Sequence, residues 1–144
     1  MTAYTAVQTG AADTVPGVGD GHTLKTICGV FNLTAPLAAG DTISTPKLPN
    51  GATVVDVNLS TSALDTNGSP TLTMDVGDAA VQNRYIAAST TPRSGGIARM
   101  SQALAAPFTL TSKGPVVATV NAGPATGAAT GTVAITVFFL PPFA

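Results

Sequence analysis

The stretch GTVAITVFFL, residues 131–140, decides the fold. Val133, Ile135, Val137 and Phe139 fall on one side of an extended chain, and Thr132, Ala134, Thr136 and Phe138 fall on the other. A period of two, carried by β-branched and aromatic residues, is the pattern of a strand with one face against a core. The same period runs through GATVVDVNLST, residues 51–61, where Thr53, Val55, Val57 and Leu59 alternate with Val54, Asp56, Asn58 and Ser60. In TLTMDVG, residues 71–77, Leu72, Met74 and Val76 oppose Thr71, Thr73 and Asp75.

Turn-forming clusters separate these runs: PNG at 49–51, TNGSP at 66–70, VGD at 76–78, PRSGG at 92–96, KGP at 113–115 and AGPATGAATG at 122–131. Strands are therefore expected near 3–8, 23–33, 41–46, 52–61, 70–76, 83–88, 97–101, 107–112, 115–121 and 131–140. RMSQALAA at 99–106 is the one segment that suits a short helical turn. Many short strands at regular spacing predict an all-β protein, an antiparallel β-sandwich or jelly roll. TGAADTVPGVGDG, residues 9–21, has no periodicity, so residues 1–22 read as an N-terminal strand or arm with a Gly-rich connection, ahead of a sandwich domain over 23–144. AGPATGAATG reads as a long hairpin loop whose small side chains must project from the body or lie on something else.

Composition narrows the function. Charged residues are 9% of the 144, all seven acids are Asp, and the net charge is −1. That is far below the quarter typical of soluble domains, so hydroxyls and small side chains must make much of the surface. The six basic residues are scattered, which leaves no footprint for nucleic acid. The mean hydropathy is +0.36, yet no apolar run approaches the roughly 20 residues of a membrane-spanning helix. MTAYTAVQTG has neither the basic start nor the apolar core of a secretory signal, which predicts synthesis in a cytoplasm. The single cysteine, Cys28, lies in an apolar run and reads as a buried structural thiol.

The candidate chemistry is thin. His22 is the only histidine, in GDGHT beside glycines, and no G-x-S-x-G nucleophile elbow accompanies it. One His, one Cys and dispersed aspartates offer no metal set. GVGDG at 17–21 lacks the Lys-Ser/Thr that a phosphate loop requires. The densest cluster is Asp75 and Asp78 with Arg84 and Tyr85 downstream. Paired carboxylates perform acid–base work only where their surroundings separate their pKa values, and a Gly-bearing turn offers little burial for that. The expectation is Asp75 on the outer face at a strand end, Asp78 bonding turn amides, and Arg84 forming a salt bridge to either carboxylate. No enzyme activity and no cofactor are expected.

KLPNGATVVDVNL, then TLTMDVGD and NRYIAAS, with a closing long loop and GTVAITVFF, resembles the small decoration (cement) proteins of tailed-phage heads. The residues that carry the likeness are Lys47, Leu48, Pro49 and Gly51, then Asp75, Val76, Gly77 and Asp78, then Arg84, Tyr85 and Ile86. The resemblance covers most of residues 45–140 and the AYTAVQT start. The tail LPPFA and the length of the 9–21 segment depart from the family pattern. The resemblance implies a jelly roll on the outer surface of the virion, made in the host cytoplasm. It would bind the major capsid protein of an HK97-like shell, clamp neighbouring subunits and form a dimer or trimer with itself. Candidate contact residues are Tyr4, Val7 and Val15 at the N-terminus, where a strand can add to a neighbour's sheet edge, and Phe138, Leu140 and Phe143 at the tail. The Pro124–Gly131 loop is a third candidate. The rival readings are a carbohydrate-binding or adhesin-like sandwich, disfavoured by the lack of Trp and the presence of only two Tyr, and another virion component such as a head-fibre base or tail protein.

Overall fold

A computed structural model describes residues 1–5, 23–105 and 107–142. The ten described strands lie in two antiparallel-dominated sheets. In chain order they are β1 (Ala3–Thr5), β2 (Lys25–Leu33), β3 (Thr42–Ser44), β4 (Thr53–Thr61), β5 (Thr73–Gly77), β6 (Ile86–Ser89), β7 (Gly96–Arg99), β8 (Phe108–Thr109), β9 (Val117–Ala122) and β10 (Gly131–Leu140). One sheet runs β1-β3-β9-β5-β6, and the other runs β2-β10-β4-β7 with β8 also paired to β4. The chain changes sheet repeatedly, and only β5–β6 among the longer-range pairs is a local hairpin. This is a jelly-roll sandwich.

β10 is the central member of its sheet. It pairs antiparallel with β2 from Gly131↔Leu33 to Phe139↔Lys25 and with β4 from Val133↔Thr61 to Leu140↔Thr53. Its Val133, Ile135, Val137 and Phe139 are closed to water, and they join Val54, Val57 and Leu59 of β4 in the core. Ile43, Met74, Val76, Ala118 and Val120 of the other sheet complete the same cluster. Each such side chain contributes about 1.5–3 kcal/mol relative to exposure.

The alternation expected for β4 fails at one point. Val54, Val57 and Leu59 are buried while Val55 and Asp56 are both half-exposed. The cause is a bulge: Phe138 stands opposite Asp56, but Phe139 stands opposite Val54, which leaves Val55 as the extra residue. One inserted residue flips every side chain on one side of it. Cys28 differs too: it is half-buried on the outer face of β2, where the Thr136 hydroxyl meets its sulfur at 3.5 Å. RMSQALAA yields a single 3-10 turn at Ala103–Ala105, and a second one forms at Thr91–Arg93, leading into the PRSGG breaker.

The 123–130 loop corrects another expectation. It joins β9 to β10, which belong to different sheets, so it is a crossover and not a hairpin. Its anchor is Asp65. One carboxylate oxygen accepts the amides of Thr71 (2.8 Å), Leu72 (3.1 Å) and Ala125 (3.0 Å), and the other accepts those of Thr126 (3.1 Å) and Asn67 (3.3 Å). Three separate segments thus close on one buried side chain. Gly127 lies so near Pro36 that an added Cβ would stand 2.7 Å from its side chain, which explains the glycine at this position. Burial raises the Asp65 pKa, but the amides of Thr126, Ala125, Thr71 and Leu72 outweigh it and hold the carboxyl well below its ordinary 3.8.

Two outcomes test this description. Ile135→Ala, on the core face of β10, should cost about 2–5 kcal/mol in urea unfolding, whereas Thr136→Ala, one residue on and facing outward, should cost less than about 1 kcal/mol. Equal costs would contradict the assigned faces. For Asp65, a carboxyl with a lowered folded pKa stabilises above the unfolded value of 3.8, and that contribution disappears as pH falls below it toward the folded value. Asp65→Asn should therefore lower the melting temperature at pH 7 and flatten its decline below pH 4, measured by thermal scans across that range.

Candidate functional site

Asp75, Asp78 and Arg84 sit at the β5–β6 end of the first sheet, and the chain there is shaped by Gly77. A Cβ on Gly77 would stand 2.0 Å from the Val81 carbonyl oxygen, so only glycine lets the turn fold back over the strand end. The Asp78 amide donates to that same carbonyl at 3.0 Å. One Asp78 carboxylate oxygen accepts the amides of Ala80 (2.9 Å) and Val81 (2.8 Å), as an Asx-type turn does. The other oxygen takes the Arg84 Nε in a short ion pair that is largely shielded from solvent. The Arg84 guanidinium carbon lies 3.7 Å from the centre of the Phe108 ring, so the pair also ties this turn to β8.

Asp75 departs from its expected place. It is only 5% exposed, because the face of β5 opposite the core is covered at this point. Its carboxylate accepts the Gln82 side-chain amide at 2.8 Å and the Ala88 backbone amide at 2.6 Å. Ala88 has φ +46, in the left-handed region that costs a residue with a Cβ roughly 1–2 kcal/mol. The bulge that holds it there lies between the Met74 and Val76 pairings, and Asp75 supplies the acceptor its amide needs. Arg84 pairs with Asp78 and not with Asp75, so the two carboxylates serve separate local networks.

Tyr85 points into the core and is fully buried, and its hydroxyl has no hydrogen-bond partner among the described residues. Burial pushes its pKa well above the ordinary phenol value; the Asp78 charge adds to this and Arg84 opposes it. A hydroxyl so held stays protonated at neutral pH. Beside these groups is a small cleft of about 70 Å³ lined by Asp78, Arg84, Phe108, Ser112 and Lys113. That volume admits water-sized molecules, and its strongest charges already neutralise each other. Among the described residues no three His, Cys or acidic side chains converge as a metal set. The arrangement braces a turn.

The candidate contact residues fall in several places. Tyr4 lies on β1, which pairs in parallel with β3 through Tyr4↔Ile43, and its ring stacks on Phe31 with centroids 4.5 Å apart. This end of the chain is fastened by Asp41, whose carboxylate accepts the Thr2 and Ala38 amides, each at 2.9 Å. Phe138 and Leu140 are half-buried on the outward side of β10, and Pro141 beyond them is buried. Val7, Val15, His22 and Phe143 lie outside the described residues. Sequence reasoning missed Asp65 and Asp41 as fasteners. The available signal was an acid flanking a turn, before it in ALDTNGSP and after it in AAGDTIS.

No protein-family model matches this chain, and no curated protein matches it. Solved structures do. A chain of the cyanophage Pam1 capsid asymmetric unit is 33% identical, with a TM-score of 0.77, over 92% of this chain and 94% of that one. A chain of the capsid of Ralstonia phage GP4 is 28% identical, with a TM-score of 0.72, over 99% of this chain and 100% of that one. A chain of the acid-stable capsid of Helicobacter pylori bacteriophage KHP30 shares the fold at 20% identity and a TM-score of 0.52 over 83% of this chain. With a third of its residues shared along nearly the whole of both chains, this protein belongs to the same family as that component of the Pam1 capsid and is a phage capsid structural protein.

Proposed function

We propose that this protein is a decoration, or cement, protein: it lies on the outer surface of an assembled phage shell and holds neighbouring major capsid subunits together, acting as a small homo-oligomer. The observation that carries this reading is the end-to-end likeness to single chains of two phage capsids, combined with a core that closes within one chain. A domain that completes its own core arrives at a shell already folded. It then stabilises the assembled lattice by binding it better than the free subunits. Each contact loses most of its gross apolar energy to association entropy, so several linked contacts are needed, and linkage makes the later ones intramolecular.

The surface suits such contacts. All five described aspartates accept hydrogen bonds within the chain, and Arg84 and Arg99 are paired to Asp78 and Asp56. Few charges would then need to shed water against a neighbour. The rival sugar-binding reading needs open aromatic platforms. None of the described aromatic rings is exposed: Tyr85 and Phe139 are core residues, Tyr4 covers Phe31, and Arg84 covers Phe108. The tail after β10 carries the grip in this proposal, with Phe138 and Leu140 beside it.

Added to purified shells that lack it, the protein should saturate them and raise the temperature at which they fall apart. Deleting Pro141–Ala144 should leave a folded protein that no longer saturates; full occupancy by the truncated form, seen by electron microscopy, would count against the tail. Asp75→Asn and Asp78→Asn should each cost about 1–3 kcal/mol of stability and leave shell binding intact. Loss of shell binding with the fold preserved would move the contact surface to this turn.

A further inference from the structure

Asparagine followed by glycine is chemically labile, because glycine has no Cβ to keep its backbone nitrogen away from the asparagine side-chain carbonyl. Two such pairs occur in this chain, Asn50–Gly51 and Asn67–Gly68, and both asparagines are exposed. The fold treats them differently. The Gly51 amide donates to the Leu110 carbonyl at 2.9 Å, inside a turn closed by the Ala52 amide on the Pro49 carbonyl at 3.2 Å. Its proton is engaged. Gly68 is exposed, and its amide donates to no acceptor among the described residues. The Ser69 amide, next along the chain, donates to Asn67 Oδ1 at 2.8 Å, and Asn67 Nδ2 donates to Thr126 Oγ1 at 2.9 Å. The Asn67 side-chain carbonyl is thus polarised by one amide, while the neighbouring Gly68 nitrogen keeps its proton open to water.

We propose that Asn67–Gly68 is a site of spontaneous covalent modification, an intramolecular cyclisation that takes only water as co-reactant, and that the fold protects Asn50–Gly51 from the same reaction. In the first step the Gly68 nitrogen gives its proton to solvent base and attacks Asn67 Cγ. A bond forms between that nitrogen and Cγ, and the π electron pair of the carbonyl moves onto Oδ1, where the Ser69 amide already stands as donor. Collapse breaks the Cγ–Nδ2 bond, and Nδ2 takes a proton from water and leaves as ammonia. Water then opens the cyclic imide at either of its carbonyls. Opening at Cγ leaves aspartate at this position; opening at the main-chain carbonyl leaves isoaspartate, with the side-chain carbons now part of the backbone. Either product removes the nitrogen donor to Thr126. Isoaspartate also lengthens the chain between Asp65 and the Thr71 and Leu72 amides that Asp65 accepts. The consequence falls on the crossover that Asp65 fastens through Ala125 and Thr126, whatever the domain binds.

The test is to hold the full chain at mildly alkaline pH and map its peptides by mass spectrometry over time, with electron-transfer fragmentation to tell isoaspartate from aspartate. In the folded protein Asn67 should convert steadily to both products while Asn50 stays intact; in urea both should convert. Gly68→Ala puts a Cβ on the attacking residue. Nothing lies within 4 Å of that Cβ, and the backbone there is not left-handed, so the variant should fold with an unchanged melting temperature. It should slow conversion at Asn67 severalfold. The converted fraction, separated on ion exchange by its added negative charge, should melt below fresh protein. Equal rates at Asn50 and Asn67 in the folded chain, or a Gly68→Ala variant that converts as fast as wild type, would each overturn the proposal. So would conversion confined to urea, which would mean that the Ser69 and Thr126 bonds lock the side chain away from attack. A converted fraction as stable as fresh protein would overturn the stated consequence for the crossover.

Discussion

The structure is organised around β10, held between β2 and β4 by two long antiparallel ladders while its inner side chains complete the core. Every other feature accommodates that strand. β4 must carry a bulge at Val55 to keep Val54 and Leu59 both inward along its length. The chain must cross from β9 in the opposite sheet to reach the start of β10, and Asp65 fastens that crossing. Gly131, at φ +158, takes the extended start of β10 into a site where a Cβ would stand 2.6 Å from Leu64 and Ser62.

The scarce charges serve the same end. In most soluble domains charges coat the surface; here four of the five described aspartates accept backbone amides at loops, turns or a bulge. Asp41 holds the N-terminal strand, Asp65 the crossover, Asp75 the bulged edge and Asp78 the turn after β5. Charge-assisted bonds of this kind are stronger than neutral ones, so each loop is fixed by one residue where several weaker contacts would otherwise be needed. What remains outside is hydroxyl and small apolar surface, which meets another protein with little desolvation penalty.

Much of this was legible from residue order alone. Each of the ten described strands overlaps one of the expected runs, and β5, β6, β7 and β9 each extend one residue past it, because a period of two between breakers is a local property. The partition of those strands into sheets was not legible: AGPATGAATG looks the same whether it joins neighbours or crosses a sandwich. Nor was the phase of β4, since a bulge changes facing without changing composition. Asp75 was misplaced for a related reason. Alternation puts it on the polar side of β5, but the curled β6 edge and Gln82 cover that side. Asp78 followed local turn chemistry and sits where that chemistry puts it. The contact surfaces lie beyond such reasoning, because a single chain does not contain its partner.

The placement of β10 has a mechanical consequence. Interstrand bonds in an antiparallel sheet lie perpendicular to the strands, so tension along a strand loads them together in shear. A pull on the segment that follows Leu140 enters the domain through the strand with a neighbour on each side, and both ladders resist it at once. A pull on β6 or β7, each four residues long and at an edge, could peel bonds away singly. The carboxyl end is therefore the stiff handle of this domain, the point from which it can transmit force without coming undone.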